Sequence, residues 1–311
     1  MSAWKLFSMW LGYPLRAGAV LGMAMTAGTR AHAAGNDWMA TLPDATRLSA
    51  ITLPGTHNAG ARFEPIAGTA QCQTATIAAQ LGFGIRLLDV RCRHVNNAFQ
   101  IYHGSIYQKI DFAEVLRQVS RFLDENPREC VILSVKEEGK ATRATRNFET
   151  TFDTYLAPDR ARWELGAKVP VLREARGKIV LLRRFDAAGA LGLAATPWPD
   201  NTAFMQGGLK IQDHYQVKDP AAKWDQIATA LNDAFTGTEP DLLHLNFTSG
   251  YQPGAFGIPN IRVVSNAINP QLADYFRRAK PGFYGWVIMD FATAELAEFV
   301  YRQNGSGAVA K

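Results

Sequence analysis

The feature that most constrains the fold is a series of eight short apolar segments that alternate with amphipathic helical segments. The apolar segments are rich in β-branched and aromatic residues, and each has the length of a single strand. They cover residues 49–54, 85–91, 99–103, 131–136, 179–184, 209–213, 242–247 and 285–291. Alternation of strands and helices on this scale is typical of βαβ units in a mostly parallel sheet. Eight such units predict an α/β fold, a single-domain and irregular TIM-type (β/α)8 barrel.

Two helices can be located from their capping residues. Asp111 is followed three positions later by Glu114, which is a capping-box arrangement, and apolar residues then recur at helical spacing as far as Asn126. Asp219 and Pro220 open a second helix of the same kind. Because their apolar stripes face the core, we assign no chemistry to these helices.

The barrel is expected to be irregular at one connection and to carry one long loop. Residues 92–98 are too few for a parallel crossover, and Asn96 and Asn97 are typical of a turn. Residues 186–201 are rich in Gly, Ala and Pro, which favours a loop over the mouth of the barrel rather than a domain boundary.

The first 33 residues have the pattern of a secretory signal peptide. Lys5 and Arg16 precede an apolar run at 17–27, and Ala31-His32-Ala33 is the small-x-small motif of a cleavage site. The alternative, a membrane anchor, is less favoured because the run is shorter than a spanning helix requires. We therefore divide the chain into a signal peptide at 1–33 and a catalytic barrel at 34–311. We expect the mature protein to be secreted or periplasmic and to have no transmembrane segment.

The charge and the cysteines limit the classes of function. The formal charge of the whole chain is +5, and the leader holds three basic residues and no acidic one, so the mature chain carries +2. This weak excess does not indicate a nucleic-acid partner. Three cysteines, Cys72, Cys92 and Cys130, allow at most one intramolecular disulfide, whose pairing stays open, and their spacing is not that of a zinc site.

Charged or titratable residues stand at the ends of seven of the eight apolar segments. In a (β/α)8 barrel, the carboxyl ends of the strands converge on the active site. We therefore expect one cluster to contain His57, Arg91, His103, Lys136, Arg184, Asp213 and Asp290. The remaining histidines, at 32, 94, 214 and 244, are assigned no role because they fall in the leader, in the turn or on other strand positions.

These residue types suit the cleavage of a phosphodiester without a metal. Two histidines, His57 and His103, can share general base and general acid catalysis near neutral pH. A guanidinium such as that of Arg91 can stabilise charge on phosphoryl oxygens. Asp290 can hold one imidazole in the tautomer that leaves its other nitrogen free to accept a proton.

Eight collinear motifs carry a resemblance to a known family. They are ITLPGTHNAG at 51–60, GIRLLDVRCR at 84–93, YHG at 102–104, ARGKIVLL at 175–182, WPDN at 198–201, IQDHY at 211–215, NFTS at 246–249 and GWVIMD at 285–290. In this order they resemble the bacterial phosphatidylinositol-specific phospholipases C of the X-domain family, a resemblance that runs through essentially the whole mature chain.

The resemblance implies a role for each catalytic position. His57 would be the general base for the inositol 2-hydroxyl, with Asp290 as its carboxylate partner. Arg91 would bind the phosphate, and His103 would protonate the diacylglycerol oxygen as it leaves. The implied products are diacylglycerol and inositol 1,2-cyclic phosphate.

The resemblance also implies the residues that bind inositol. Lys136, Arg184 and Asp213 match positions that hydrogen-bond the sugar hydroxyls, and Tyr215 matches the ring that packs against the sugar face. Because unpaired buried polar groups are costly, such a site would reject lipids whose headgroups lack these hydroxyls.

The chain departs from the family pattern at two places. Asn58 stands where bacterial members usually have an Asp that supports the acid histidine, and where calcium-dependent relatives have an Asn that binds the metal. We still expect no cofactor, since Arg91 replaces a carboxylate of those calcium sites. The segment 65–70 lacks the exposed Trp of well-studied members, which leaves Phe256 as the candidate for membrane contact.

We therefore expect a monomeric enzyme that acts on phosphatidylinositol, free or glycosylated, at a membrane surface. Three alternatives stay open: a calcium-dependent variant of the same reaction, a metal-dependent glycerophosphodiester phosphodiesterase, and an inositide-binding module without turnover. Asn58 motivates the first and third, whereas the second would require a carboxylate cluster that these motifs do not supply.

Overall fold

The computed structural model describes residues 35–254 and 257–305. The predicted signal peptide and Phe256 lie outside these ranges. None of the helices in the described ranges combines the length and the apolar character that crossing a membrane requires.

Fourteen strands are found in the described residues, and twelve of them belong to one sheet. The strands are β1 (Leu53–Thr56), β2 (Leu87–Val95), β3 (Ala98–His103), β4 (Ile106–Asp111), β5 (Val131–Glu137), β6 (Trp163–Glu164), β7 (Ile179–Arg184), β8 (Leu193–Ala194), β9 (Thr202–Gln206), β10 (Leu209–Asp213), β11 (Leu243–Phe247), β12 (Gln252–Pro253), β13 (Pro259–Asn260) and β14 (Trp286–Met289). The helices are α1 (Ile77–Gly82), α2 (Phe112–Glu125), α3 (Phe148–Leu156), α4 (Leu172–Ala175), α5 (Pro220–Thr236), α6 (Ile261–Arg278) and α7 (Ala294–Tyr301).

The sheet is a curled, open barrel, so the irregular barrel predicted from the sequence is confirmed. Its strand order is β6-β7-β5-β2-β1-β14-β11-β10-β9, and every pair from β6 to β10 is parallel. Only the last pair, β10 with β9, is antiparallel on this path. Within the described residues no strand pairing joins β6 to β9, and the barrel is open there.

One predicted barrel strand has a different place in the fold. The segment 99–103 is part of β3, which pairs antiparallel with β2 and then with β4, outside the main strand order. Asn96 and Asn97 both have positive φ, 51° and 59°, as a two-residue hairpin turn requires. The prediction of 99–103 as a barrel strand was therefore wrong, because so short a connection can only reverse the chain.

The core has two layers that follow from the alternation of side chains along the strands. Leu88, Val90 and Leu133 point outward and pack with the apolar faces of the surrounding helices. Leu87 and Ile132 point inward and belong to a second cluster that fills the barrel. The predicted caps are confirmed, since the side chains of Asp111 and Asp219 accept hydrogen bonds from the first turns of α2 and α5.

A buried ion pair closes the end of the barrel at which the parallel strands begin. Arg86, immediately before β2, is fully buried and donates from Nε to the carboxylate of Glu129 at 2.7 Å. Its other donors reach four backbone carbonyls, those of Gly35, Asn36, Leu81 and Ile85, at 2.8–2.9 Å. Because every guanidinium nitrogen has a partner, the charge is tolerated without water.

Candidate active site

A polar pocket of about 450 Å³ opens at the carboxyl ends of the parallel strands. Eight of the nine site residues expected from the sequence line it: His57, Arg91, His103, Lys136, Arg184, Asp213, Tyr215 and Asp290. The ninth, Asn58, does not line it. Because these residues come from five strand ends, those of β1, β5, β7, β10 and β14, and from the β2–β3 hairpin, the barrel is what brings them together.

His57 is held between a carboxylate and a guanidinium. It directly follows β1, and its Nδ1 lies 2.8 Å from Oδ1 of Asp290, which directly follows β14. The amide of Gln73 fixes this backbone, because its Nε2 donates to the carbonyls of His57 and Met289 at 2.9 and 2.8 Å. Because a carboxylate can only accept a hydrogen bond, the proton of the His57 ring is on Nδ1 and is donated to Asp290. Nε2 of the ring keeps its lone pair.

The Nε2 lone pair of His57 faces the guanidinium of Arg91. Nη2 of Arg91 donates to it at 2.8 Å. The same guanidinium and that of Arg184 flank the fully buried Asp89, at 3.4 and 3.1 Å from its carboxylate oxygens. Burial alone would raise the pKa of Asp89, but these two cations hold it below its usual range. Asp89 thus fixes both guanidiniums beside His57.

His103 lies across the pocket from His57, with the ring centroids 6.3 Å apart. Its Nδ1–H donates to the carbonyl of Ala70 at 2.8 Å, and Sγ of Cys72 is 3.6 Å from the same nitrogen. Burial and the neighbouring Arg91 lower the pKa of His103 to about 4. The nitrogen that remains available for chemistry in the pocket is Nε2.

Asn58 does not support either histidine. It is fully buried with φ of 45°, and its backbone N–H donates to Asp89 at 3.1 Å. Among the described residues neither side-chain atom of Asn58 has a hydrogen-bond partner. The resemblance implies a carboxylate at this position that supports His103, but the side chain of Asn58 gives no such support. The Ala70 carbonyl orients His103 instead.

The remaining polar residues form one wall of the pocket. Nζ of Lys136 is 3.0 Å from the carboxylate of Glu138. The guanidinium of Arg184 lies 3.6 Å from the ring centre of Trp198, and Nε1 of that indole donates to Asp213 at 3.0 Å. Cation, indole and carboxylate are therefore fixed relative to one another, as the recognition of a polyhydroxylated ring requires.

Tyr215 stands at the rim of the pocket. Its hydroxyl donates to the carboxylate of Asp200 at 2.5 Å, and its ring packs against that of Tyr251. Asp200 and Trp198 come from the segment predicted to be a loop over the mouth. That loop does line the pocket, although it also contains the short strand β8, and β9 follows at once.

Sequence reasoning missed the residues that support the site from behind. Asp89 lies within the apolar strand β2, and Glu138 directly follows the apolar strand β5, so neither was considered as a site residue. The position of Asp89, two residues before Arg91, could have indicated that the two side chains lie on the same face of the strand. Lys223 of α5 was missed because a long side chain on a helix usually faces water. Here it is buried, and Nζ donates to Oε1 of Gln212 and to the carbonyls of His214 and Phe247 at 2.7–3.0 Å. Burial lowers the pKa of Lys223 to about 7.

Two of the histidines assigned no role, His94 and His244, lie outside the pocket and have partners of their own. Nε2 of His94 is 2.8 Å from Oγ1 of Thr151 in the core, and Nδ1 of His244 is 3.4 Å from Asp233. All three cysteines are buried free thiols, so the structure contains no disulfide among them.

The donor set of the pocket does not suit calcium. Calcium takes six to eight oxygen ligands, most of them charged or carbonyl oxygens. Three cations, Arg91, Lys136 and Arg184, share the pocket, and Asp89 is occupied by two of them. The side chain of Asn58 does not line the cavity either.

Comparisons with known proteins agree with this arrangement. The family profile "Phosphatidylinositol-specific phospholipase C, X domain" matches residues 64–185. The 1-phosphatidylinositol phosphodiesterase of Staphylococcus aureus (strain Newman) is 28% identical over 277 residues, covering 82% of this chain and 88% of that protein. The protein of the same name from Listeria monocytogenes is 28% identical over 284 residues, covering 86% and 84%.

Solved structures of two phosphatidylinositol-specific phospholipases C are also similar to this chain. A crystal structure of the phosphatidylinositol-specific phospholipase C from Staphylococcus aureus superposes with a TM-score of 0.78 at 25% identity, over 86% of this chain and 98% of that one. The Listeria monocytogenes enzyme superposes with a TM-score of 0.71 at 25% identity, over 87% and 98%.

The fold is an open TIM-type barrel, and two histidines face each other across the pocket at the carboxyl ends of its strands. The similarity extends through the X domain and beyond it to most of the described chain. The resemblance predicted from the motifs is thus confirmed: over most of its length the chain is similar to the bacterial phosphatidylinositol-specific phospholipases C.

Proposed function

We propose that the protein cleaves phosphatidylinositol into diacylglycerol and inositol 1,2-cyclic phosphate, without a metal. The single observation that carries this proposal is the pair of opposed imidazoles, His57 backed by Asp290 and His103 across the pocket. The curated relatives are named 1-phosphatidylinositol phosphodiesterases, which supports the substrate class.

The reaction begins at His57. Its Nε2 accepts the proton of the inositol 2-hydroxyl, and the oxygen attacks the neighbouring phosphorus within the same molecule. Asp290 stabilises the imidazolium that forms, because it accepts the hydrogen bond from Nδ1. The Nη2 of Arg91 already lies 2.8 Å from this nitrogen, so it can pass from Nε2 to a phosphoryl oxygen as the proton arrives.

The reaction ends at His103. Its Nδ1–H is committed to the Ala70 carbonyl, so it can act as an acid only when Nε2 is protonated as well. In the free protein burial, and after it the charge of Arg91, oppose that state by lowering the pKa of His103. A bound phosphodiester anion offsets the charge of Arg91 and favours the imidazolium, which then protonates the departing diacylglycerol oxygen. Proton transfer is thereby coupled to substrate binding.

The opposite wall provides specificity for inositol. We assign Lys136, Arg184 and Asp213 to hydrogen bonds with ring hydroxyls, and Tyr215 to packing against the sugar face. These groups are already fixed by one another, so an incoming ring meets prearranged donors and acceptors. Lipids with choline or ethanolamine would leave them unpaired and would be rejected.

The alternatives are less well supported. A calcium-dependent reaction or a metal-dependent glycerophosphodiesterase would need an oxygen-rich site beside the phosphate. Three cations occupy that place, and two of them neutralise Asp89. A binding module without turnover would not require the aligned His57–Asp290 pair.

Membrane contact and export are further parts of the proposal. Ile66 and Ile258 are 60% and 48% exposed, and each stands within three residues of a residue that lines the pocket. We propose that they touch the lipid surface at the mouth, so that the monomer binds peripherally. The leader at 1–33 would direct the protein to the periplasm or the medium.

The test is a substrate panel with matched histidine variants. Vesicles of phosphatidylinositol, phosphatidylcholine and phosphatidylethanolamine are assayed for diacylglycerol release. We expect release from phosphatidylinositol alone, lost by at least about a hundredfold in His57→Ala and His103→Ala. The control is His244→Ala, a histidine outside the pocket. Equal release from phosphatidylcholine, or full activity in the pocket variants, would refute the proposal.

A further inference from the structure

A buried thiol lies between the two histidines of the pocket, and the proposed reaction does not use it. Sγ of Cys72 is 3.6 Å from Nδ1 of His103. A ligand atom of His57, Sγ of Cys72 and a carboxylate oxygen of Asp290 all lie within 4.8 Å of one another. In the described chain this is the one group of three or more His, Cys, Asp or Glu side chains placed to share a metal ion.

The donor set is that of zinc rather than calcium. Zinc and related thiophilic ions bind thiolate, imidazole and carboxylate at about 2.0–2.3 Å with tetrahedral geometry, which places the ligand atoms roughly 3.3–3.6 Å apart. Nδ1 of His57 and Oδ1 of Asp290 are 2.8 Å apart, and Sγ of Cys72 lies within 4.8 Å of the ligand atoms of both residues, so shifts of about 1 Å bring the three atoms to this spacing. Small side-chain rotations are therefore sufficient.

The thiol is held in place by its backbone. The N–H of Cys72 donates to the carbonyl of Ala61 at 2.9 Å, and its own carbonyl accepts from the N–H of Phe291 at 2.7 Å. Phe291 directly follows Asp290, so this hydrogen bond joins the backbone segment that holds the thiol to the segment that holds the carboxylate. Two of the three ligands, His57 and Asp290, line the pocket, and the fully buried thiol of Cys72 lies within 4.8 Å of their ligand atoms.

We propose that His57, Cys72 and Asp290 form an inhibitory site for a thiophilic divalent cation such as Zn²⁺, with a water molecule as its fourth ligand. The thiol loses its proton to solvent as the metal–sulfur bond forms. The bound ion takes Nδ1 of His57, whose proton moves to Nε2, together with the carboxylate of Asp290, so Nε2 can no longer accept a proton. The inhibition, but not the binding, rests on the function proposed above.

Cadmium is the probe for binding, because a cadmium–thiolate bond has an ultraviolet charge-transfer band. The whole protein, without a metal-binding tag, is titrated with CdCl₂. We expect the band to saturate at one ion per chain in the parent and in Cys130→Ser, whose thiol lies in the core beside Met39. Cys72→Ser should lose the band and bind at least about a hundredfold more weakly.

Asp290→Asn provides a second test that does not depend on the folding of the Cys72 variant. It keeps the thiol and so keeps the band, but loses a charged ligand, and its affinity for Cd²⁺ should fall about tenfold or more. Parent-like affinity in both variants, or loss of the band in Cys130→Ser, would overturn the assignment.

Inhibition is measured separately with ZnCl₂ and phosphatidylinositol vesicles. Each variant is compared with itself before and after addition of the metal, and again after EDTA. We expect reversible loss of activity in the parent and in Cys130→Ser, and resistance in Cys72→Ser. Equal inhibition of Cys72→Ser would refute the inhibitory role. A protein that binds Cd²⁺ but turns over no lipid would contradict the proposed function and leave the metal site standing.

Discussion

The hydrogen bond between His57 and Asp290 makes the sharpest prediction. Asp290→Asn keeps the size and shape of the side chain but removes its charge. Asp290 is 2% exposed and lies 2.8 Å from Nδ1 of His57, so the charge acts through protein rather than water. We expect the variant to fold normally and to lose turnover, because an amide cannot stabilise the imidazolium that forms as the 2-hydroxyl gives up its proton.

The size of the loss follows from the geometry. Across this hydrogen bond the charges of an imidazolium and a carboxylate are about 4 Å apart, which corresponds to about 4 kcal/mol at an effective dielectric constant of about 20. An energy of this size in the transition state alone is roughly a thousandfold in rate. The amide can still accept a neutral hydrogen bond, so we expect kcat to fall by about a hundredfold to a thousandfold.

The assay measures kcat and KM for phosphatidylinositol in mixed micelles. KM should stay within about threefold of the parent value, because the missing interaction is made mainly in the transition state. Asp274→Asn is the control, since this carboxylate pairs with Arg277 on the exposed face of α6. Asp290→Asn with more than about a fifth of the parent kcat would refute the assignment of Asp290 as the partner of the base.

Three further predictions concern the phosphate ligand, the buried ion pair and the buried lysine. Arg91→Lys should lower kcat/KM by about tenfold to a hundredfold in the same assay, because an ammonium cannot bridge the phosphate and Asp89 with a planar fork; parent-like activity would argue against phosphate binding there. Arg86→Met should destabilise the fold by about 3–5 kcal/mol in urea unfolding, because it leaves the charge of Glu129 buried and unpaired; a loss below about 1 kcal/mol would contradict this. Burial lowers the pKa of Lys223 to about 7, so above pH 7 the unfolded chain binds more protons than the folded one, and this residue makes stability rise with pH. Between pH 7 and 9 the parent should gain up to about 1.4 kcal/mol per pH unit relative to Lys223→Met, and equal slopes would refute the lowered pKa.

The sequence was sufficient to predict what local chemistry controls. The caps at Asp111 and Asp219 and the strand-helix alternation are confirmed, because each depends on residues within a few positions of one another. Residues at strand ends were correctly expected to converge, since parallel strands place their carboxyl ends at one edge. All seven residues predicted from the strand ends line the pocket.

The features that the sequence did not predict depend on pairing between segments that are distant in the chain. The segment 99–103 has the composition of a barrel strand, and its place outside the main strand order was decided by the short turn before it. The short strand β6 takes a position in the barrel although two residues give no periodic signal. Asp89 was overlooked for a similar reason, because its partner Arg184 is 95 positions away.

The role of Asn58 could also be determined only from the structure. The resemblance draws attention to this position as a support for the acid histidine or as a metal ligand. In the fold, the left-handed backbone at Asn58 turns its N–H toward Asp89, while the carbonyl of Ala70 takes the hydrogen bond from His103. A backbone acceptor leaves no trace in the sequence, so no pattern could have indicated it.

The central claim, intramolecular attack without a metal, is tested most directly by phosphorus NMR on the protein mixed with phosphatidylinositol vesicles. The spectrum is followed first in EDTA and then after calcium is added. We expect the signal of the strained inositol 1,2-cyclic phosphate to grow in EDTA, and we expect calcium not to accelerate it. A cyclic signal that grows only after calcium, or an acyclic inositol phosphate as the first product, would contradict the roles given to His57, Arg91 and His103.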